Sequence, residues 1–217
     1  MKPYYEHAGI TIYQGDCREV LSELPPIDAV ISDPPYGIHF DTDYRKFTSG
    51  LDVKRNVHKP VYGDDEPFDP SPWLRFRSVV LWGANIYSSR LPRGSWLVWD
   101  KRFSNGSAFL ADAEAAWMNS GYGIHLLSVT QQGFIRPEPI EHPTQKPVAV
   151  MRWCIEKARP KGIILDPYMG SGTTLVAAKH LGHTAIGIEI EEEYCEIAAR
   201  RLSQEVLPFD RSKQKGH

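Results

Sequence analysis

The segment Asp33-Pro34-Pro35-Tyr36 has the residue types needed to hold a flat molecule that carries an exocyclic amine. It follows the apolar run 28–32, which predicts a buried strand. In an open parallel sheet, ligands bind beyond the carboxyl ends of the strands. The Asp33 carboxylate and the Pro34 carbonyl can accept the two amine hydrogens, and Tyr36 can stack on the ring. The alternative is an ordinary turn after a strand, with Tyr36 as a packing residue.

A second segment, Asp166-Pro167-Tyr168-Met169-Gly170-Ser171-Gly172-Thr173-Thr174, has the composition of a ligand-binding turn. It links a predicted strand at 163–165 to a predicted helix at 173–181. Glycines at such a turn allow a ligand to approach the backbone, and the start of the helix directs free amides towards it. Glu189 ends the next predicted strand, about 20 residues after the glycines, where an acid can bind ribose hydroxyls. A purely structural turn is the alternative.

The third candidate segment is His142-Pro143-Thr144-Gln145-Lys146-Pro147, which precedes a predicted helix at 148–158. Taken alone, it is typical of a polar loop. His142 has no partner at a spacing typical of metal ligands, and the HxE and CxxC patterns of zinc deaminases are missing from the sequence. The sequence therefore predicts no metal site.

Strand and helix patterns alternate along the chain and predict one α/β domain over 1–209, with a polar tail at 210–217. The predicted strands are 10–13, 28–32, 79–82, 96–99, 124–130, 163–165 and 184–190, and the predicted helices are 18–24, 108–119, 148–158, 173–181 and 191–203. This alternation favours a largely parallel sheet. Two long polar connections, at 37–72 and 131–143, interrupt it and are candidates for functional loops.

Composition and charge limit the class of protein. The 217 residues include 25 Lys and Arg and 27 Asp and Glu, so the formal net charge is −2. This balance excludes a wholly basic surface for nucleic acid but leaves room for a local basic patch. The three cysteines form no CxxC pair, which favours a reducing compartment such as the cytoplasm. No apolar run has the length of a signal peptide or a membrane span.

Together, the motifs DPPY, HPTQKP and DPYMGSGTT, with GIEI further on, resemble the S-adenosylmethionine-dependent DNA amino-methyltransferases. Their order is that of the circularly permuted β group, and the resemblance spans roughly residues 10–202. It implies a Rossmann-like methyltransferase fold, with a largely parallel seven-stranded sheet and helices on both faces. It also implies methyl transfer from S-adenosyl-L-methionine to adenine N6 or cytosine N4 in DNA.

The resemblance implies roles for individual residues. The segment from Asp33 to Tyr36 matches the catalytic tetrapeptide, and Glu189 matches the acid that holds the ribose hydroxyls. Thr144 and Lys146 match residues of the HPTQKP segment, which in the family contacts the methionine carboxylate side of the cofactor. The implied cofactor-binding residues are Asp16 and Cys17, beside the adenine of the cofactor, with Asp33, Thr144, Lys146, Asp166, Pro167, Tyr168, Gly170, Ser171, Gly172, Thr173 and Glu189. The family usually has Phe where this sequence has Tyr168.

The chemistry of the tetrapeptide agrees with this resemblance. An aromatic amine is a weak nucleophile because its lone pair is delocalised into the ring. Acceptors that orient the amine would favour its tetrahedral form, so catalysis would rest on positioning and electrostatics. The base must also leave the duplex to be reached. In the family DPPY more often accompanies adenine, which favours adenine N6. Cytosine N4, an RNA substrate and a non-catalytic binding module stay open, and a dehydrogenase would leave DPPY and HPTQKP unexplained.

DNA is the expected partner, and contact with it is expected from the two long loops. The candidate phosphate-binding residues are Arg45, Lys46, Lys54, Arg55 and Lys59, and Arg136 is a candidate for contact with bases. The alternative for this basic run is a solvated loop. A homodimer would extend the DNA surface of such a small enzyme. The compact form suits a cytoplasmic enzyme encoded by a prokaryote or a phage, with no membrane contact.

Overall fold

The computed structural model describes residues 1–40, 60–102, 111–130 and 145–203. The described strands are β1 (Tyr5–His7), β2 (Ile10–Gln14), β3 (Ile27–Ser32), β4 (Ser78–Trp82), β5 (Ser95–Asp100), β6 (Ala113–Met118), β7 (Ile124–Ser128), β8 (Ile163–Asp166) and β9 (Ala185–Glu189). The described helices are α1 (Cys17–Val20), α2 (Val148–Ala158), α3 (Thr173–His180) and α4 (Glu192–Ser203). All seven predicted strands are present, each within two residues of its predicted ends.

The described strands form one mixed sheet in the order β1-β2-β9-β8-β3-β4-β6-β5-β7. The central strands β2, β9, β8, β3 and β4 run parallel to one another. β1 and β6 run antiparallel to their neighbours, and β7 lies parallel to β5 at the far edge. The prediction of an α/β, Rossmann-like fold is confirmed, but the described residues contain nine strands rather than seven.

The prediction of a helix at 108–119 is wrong, because Ala113–Met118 forms the strand β6. Ala, Glu and Met favour helices, so the local sequence indicates the wrong element. Pairing decides the outcome, since β6 lies between β4 and β5 and satisfies backbone groups of both strands. Ala116, Trp117 and Met118 are buried in succession, as expected for a strand that is covered on both faces.

The strand β1 is the second element that the sequence did not predict. It forms a hairpin with β2 through Ala8 and Gly9, whose φ angles of 50° and 80° are both positive. Positive φ at both central residues is typical of the two-residue turns that match the twist of paired strands. The hairpin adds a short edge strand beyond β2 and leaves the parallel centre of the sheet unchanged.

Apolar side chains cover both faces of the sheet. On β4, Val80 and Trp82 belong to one buried cluster, whereas Val79 and Leu81 belong to the other. Helices α2, α3 and α4 cover the first cluster. Helix α1, together with the segment that holds Phe68, covers the second. The sheet is therefore the middle layer of three, as is usual for α/β folds.

The parallel centre of the sheet brings acidic residues together at one edge. Asp33 follows β3, Asp166 ends β8 and Glu189 ends β9. Since these strands are parallel, their carboxyl ends meet at the same edge, where ligands bind in such folds. Within the described parts of the chain, no helix is long and apolar enough to cross a membrane.

Candidate active site

An open cleft lies at this edge of the sheet. Its walls are formed by Asp33, Gln145, Lys146, Met151, Asp166, Tyr168, Met169, Gly170, Ser171, Thr173 and Thr174. These residues come from all three segments that the sequence singled out, although the segments lie far apart along the chain. The three candidate segments therefore belong to one site.

Asp33 is hydrogen-bonded through both of its carboxylate oxygens. The Tyr36 hydroxyl donates to Oδ1 of Asp33. The Lys146 ammonium donates to Oδ2 over 2.6 Å and also to the Tyr36 hydroxyl oxygen over 3.3 Å. Lys146 is 5% exposed, and its Nζ atom lies 5.3 Å from the centre of the Trp82 ring. The Asp33 carboxylate is thus held between a phenol and a buried ammonium group.

Glu114 on β6 is a charged residue of the site that the sequence did not predict, because its segment was expected to be helical. Its Oε2 atom lies 3.0 Å from the Nζ atom of Lys146, and its Oε1 atom lies 3.0 Å from that of Lys101. Desolvation alone would raise the pKa of Glu114, but the two ammonium groups lower it to about 2. Desolvation would lower the pKa of Lys146, but the carboxylates of Asp33 and Glu114 raise it well above its ordinary value. Both Glu114 and Lys146 are therefore charged at neutral pH.

Asp64 fixes the loop that follows the tetrapeptide. Its Oδ1 atom accepts the backbone N–H groups of Tyr36, Gly37 and Ile38 over 3.0, 2.8 and 3.3 Å. Its Oδ2 atom accepts the N–H group of Phe40 over 2.6 Å. Asp64 is 6% exposed, so it is a buried carboxylate whose partners are backbone amides. One signal in the sequence could have identified Asp64. An acidic residue is out of place in a loop that is expected to bind phosphates, which indicates that it has another partner.

Gly83 makes room for the ring of Tyr36. A Cβ atom at Gly83 would lie 2.1 Å from Cε1 of Tyr36, and the φ angle of Gly83 is +67°. The short distance excludes a side chain at this position unless the Tyr36 ring shifts. The positive φ angle would strain the backbone of any residue other than glycine. The end of β4 and the loop after β3 thus form a slot that sets the plane of Tyr36.

Asp166 is buried at the base of the glycine turn. The Ser32 hydroxyl donates to its Oδ1 atom over 2.6 Å, and the Tyr168 N–H group donates to the same atom over 3.2 Å. Burial raises the pKa of Asp166 to about 6, although hydrogen bonds from Ser32, Thr174 and Tyr168 act in the opposite direction. This carboxylate links β3 and β8 directly below the cleft.

The glycine turn packs closely against α4. Gly172 has a φ angle of +79°, and a Cβ atom there would lie 2.7 Å from Cβ of Ala198. Arg201 of α4 donates to the Ser171 carbonyl over 2.7 Å and to the Thr173 hydroxyl oxygen over 3.1 Å. The turn is therefore held from behind by α4, and its other side faces the cleft.

Glu189 is joined to this turn through the backbone. Its Oε2 atom accepts the N–H group of Gly170 over 3.0 Å, and its Oε1 atom accepts that of Glu191 over 2.9 Å. Burial raises the pKa of Glu189, whereas the backbone hydrogen bonds lower it. Each carboxylate oxygen has two lone pairs, so both atoms can also accept a hydroxyl group.

The remaining described residues of the predicted cofactor site lie around this centre. The ring of Tyr168 packs edge-on against Phe68 and Trp73, with centroid distances of 5.9 and 5.8 Å. Asp16 caps α1 by accepting the Arg18 N–H group over 2.9 Å, and hydrogen bonds from Arg18 lower its pKa. Cys17, Pro34 and Pro167 are buried, and Pro35 is half-buried. The predicted site residues Arg45, Lys46, Lys54, Arg55, Lys59, Arg136 and Thr144 lie outside the described residues.

Comparison with known proteins places this chain in a family. A family model described as DNA methylase, of the N6/N4 methyltransferase type, matches residues 114–200. The type II methyltransferase M.ScaI of Streptomyces caespitosus is 30% identical, over 94% of this chain and 84% of its own length. The chain belongs to the S-adenosylmethionine-dependent DNA amino-methyltransferases. The family predicted from the three motifs is confirmed.

Solved structures share the fold of this methyltransferase. The M1.HpyAVI complex with S-adenosylmethionine has a TM-score of 0.54 and 24% identity, over 90% of this methyltransferase and 100% of that chain. PvuII DNA methyltransferase, described as cytosine-N4-specific, has a TM-score of 0.59 and 17% identity, over 95% and 90% of the two chains. The mixed sheet with helices on both faces is therefore an architecture known from solved DNA methyltransferases.

Proposed function

We propose that this enzyme transfers a methyl group from S-adenosylmethionine to the N6 amine of adenine in DNA. The observation that carries the proposal is the common cleft of Asp33, with Tyr36 bonded to it, and the glycine turn from Asp166 to Thr173. An acceptor for an amine and a turn suited to a nucleotide-like cofactor are therefore neighbours. Such closeness is what a direct transfer between two bound molecules requires.

The residues around the glycine turn fit S-adenosylmethionine. Gly170 and Ser171 line the cleft just before α3 begins, so a ligand there would meet the backbone of the turn at the start of a helix. Glu189 has acceptor capacity for the two ribose hydroxyls. Bound there, the cofactor supplies an electrophilic methyl group on a sulfonium.

The tetrapeptide would activate the amine by orientation. The Asp33 carboxylate and the Pro34 carbonyl would each accept one amine hydrogen, which favours a tetrahedral nitrogen with its lone pair exposed. The Tyr36 ring would stack on the base after the base has left the duplex. The proton released from nitrogen after transfer passes to solvent at the open cleft. These three residues therefore act through their positions and charges.

Cytosine N4 is the second candidate, since the same acceptors suit either amine. The fold likeness to a methyltransferase described as cytosine-N4-specific supports keeping it. The association of DPPY with adenine in the family supports N6. A cytoplasmic location in a prokaryotic or phage-infected cell, where DNA is accessible, is part of the proposal.

Nucleoside mass spectrometry tests this proposal. Unmethylated duplex DNA, single-stranded DNA and RNA are each incubated with the protein and S-adenosylmethionine, then digested to nucleosides. We expect N6-methyladenine from duplex DNA with the wild type and with the matched control Asp65→Ala, whose side chain is exposed. We expect none with Asp33→Ala. N4-methylcytosine would reverse the base assignment, and no methylated nucleoside from any substrate would contradict the proposed activity.

DNA contact through the basic run is a separate part of the proposal. We propose that Lys54, Arg55 and Lys59, with Arg45 and Lys46, bind phosphates, and that Arg136 reaches the bases. Replacing the first three with alanine should reduce the slope of log affinity against log salt by about 0.9 for each phosphate that the protein no longer binds. An unchanged slope would contradict this assignment. Sedimentation with and without DNA would show whether two copies bind one site.

A further inference from the structure

Lys146 carries an ammonium group whose three hydrogens all have acceptors. These are Oδ2 of Asp33 at 2.6 Å, Oε2 of Glu114 at 3.0 Å and the Tyr36 hydroxyl at 3.3 Å. The acceptors come from two separate segments, the tetrapeptide and β6, and the side chain is 5% exposed. A buried ammonium is stable when its hydrogens are satisfied and opposite charges lie beside it.

This arrangement weakens Asp33 for its proposed use. An incoming amine must donate to the Asp33 carboxylate, where it shares Oδ2 with Lys146 or Oδ1 with Tyr36, because each oxygen has one further lone pair. A full positive charge at 2.6 Å also makes Asp33 a weaker acceptor for a neutral amine. Movement of the Lys146 ammonium away from Oδ2 would restore the acceptor strength of Asp33 towards the amine.

Glu114 supplies the other anchor for such a movement. Its second oxygen is held 3.0 Å from Lys101, so its carboxylate stays in place when Lys146 shifts. Glu114 is paired with Trp99 in the ladder of β5 and β6, and the rings of Trp99 and Trp82 lie edge to face at 6.4 Å. The Trp82 ring also lies against the Lys146 ammonium. Strand pairing therefore sets the position of Glu114 beside Lys146.

We propose that Glu114 is a positioning residue that retains the Lys146 ammonium when the target amine displaces it from Asp33. This inference rests on the proposed function and deepens it, because it assigns a role to a residue outside the three motifs. Without Glu114, departure from Asp33 would leave a buried positive charge without a carboxylate, so Lys146 would stay bound to Asp33. The enzyme would then bind its cofactor but present a weakened acceptor to the base.

A double-mutant cycle of Glu114→Gln and Lys146→Met tests this role through the single-turnover rate of methyl transfer. In the wild-type background, we expect Glu114→Gln to slow methyl transfer at least tenfold. In the Lys146→Met background, we expect the same change to slow it less than twofold. Glu156→Gln, an identical change at an exposed position of α2, is the matched control. Equal effects of Glu114→Gln in both backgrounds would overturn the proposal, because the residue would then act independently of Lys146.

A measurement on the folded protein separates this inference from the proposed function. The ammonium resonance of Lys146, followed by ¹⁵N NMR, should move in Glu114→Gln and stay in place in Glu156→Gln. An unmoved resonance would overturn the positioning role whether or not the enzyme is active. A wild type that methylates no nucleic acid would overturn the proposed function, even with the expected NMR shift. Thermal unfolding of each variant shows whether a lost rate reflects a lost fold.

Discussion

Replacement of Asp64 by alanine should loosen the loop that carries the tetrapeptide. The change removes the acceptor of four backbone N–H groups, those of Tyr36, Gly37, Ile38 and Phe40. Each hydrogen bond to a charged group contributes roughly 1.5–3 kcal/mol to stability. The sum over the four bonds is therefore an upper limit for the loss in the free energy of unfolding. Ile38 is exposed, which shows that part of the loop can reach water. We therefore expect a net loss of about 3 kcal/mol in the free energy of unfolding.

The same change should slow catalysis more than it weakens cofactor binding. Tyr36 is fixed by its backbone bond to Asp64 and in turn holds Oδ1 of Asp33. A displacement of about 1 Å in such a group can slow a reaction about 10²-fold. Glu189 and Arg201, rather than Asp64, hold the glycine turn in place, so cofactor affinity should change little.

Urea unfolding and single-turnover methyl transfer measure these two effects on the same preparations. The matched control is Asp65→Ala, which makes the same change of charge at the adjacent, exposed residue. It should leave both the free energy of unfolding and the rate close to those of the wild type. If Asp64→Ala were indistinguishable from Asp65→Ala in stability and rate, the loop would not depend on this carboxylate and the reasoning would be refuted.

Three further changes test other parts of the site. The pKa of Asp166 is about 6 in the folded protein, against an ordinary value of 3.8. Above pH 6, ionisation of this buried carboxyl therefore lowers the free energy of unfolding by about 3 kcal/mol. Asp166→Asn should therefore stabilise the free protein in urea at pH 7.5, with the gain vanishing near pH 4. Gly83→Ala should lower both the melting temperature and the transfer rate, because the new methyl group meets the Tyr36 ring. Glu189→Gln should lower the affinity for S-adenosylmethionine, measured by calorimetry, about tenfold, because a charged acceptor is lost.

The parallel centre of the fold could be predicted because each strand there is a short apolar run that ends at a polar residue. β3 and β8 end beside Asp33 and Asp166, and parallel pairing alone is enough to bring these acids to one edge. β6 could not be predicted, because its Ala and Glu residues favour a helix and its strand conformation comes from pairing with β4 and β5.

The contacts within the site were harder to predict than its location. Lys146 was expected on the cofactor side, and its bond to Asp33 joins residues 113 positions apart. Glu114 and Asp64 reach the site from a strand and a loop that show no motif of their own. Long-range ion pairs of this kind depend on the order of strands in the sheet, which local sequence patterns do not contain.

The most direct test of the central claim is single-turnover methyl transfer by Asp33→Asn, with S-adenosylmethionine affinity measured on the same sample. The substitution preserves the size of the side chain but removes the charge that would orient the amine. We expect the rate to fall at least 10²-fold, as for loss of a preorganised electrostatic group, and by a larger factor than the affinity for the cofactor. A variant that transfers methyl groups at close to the wild-type rate would contradict the assignment of Asp33 as the acceptor for the target amine.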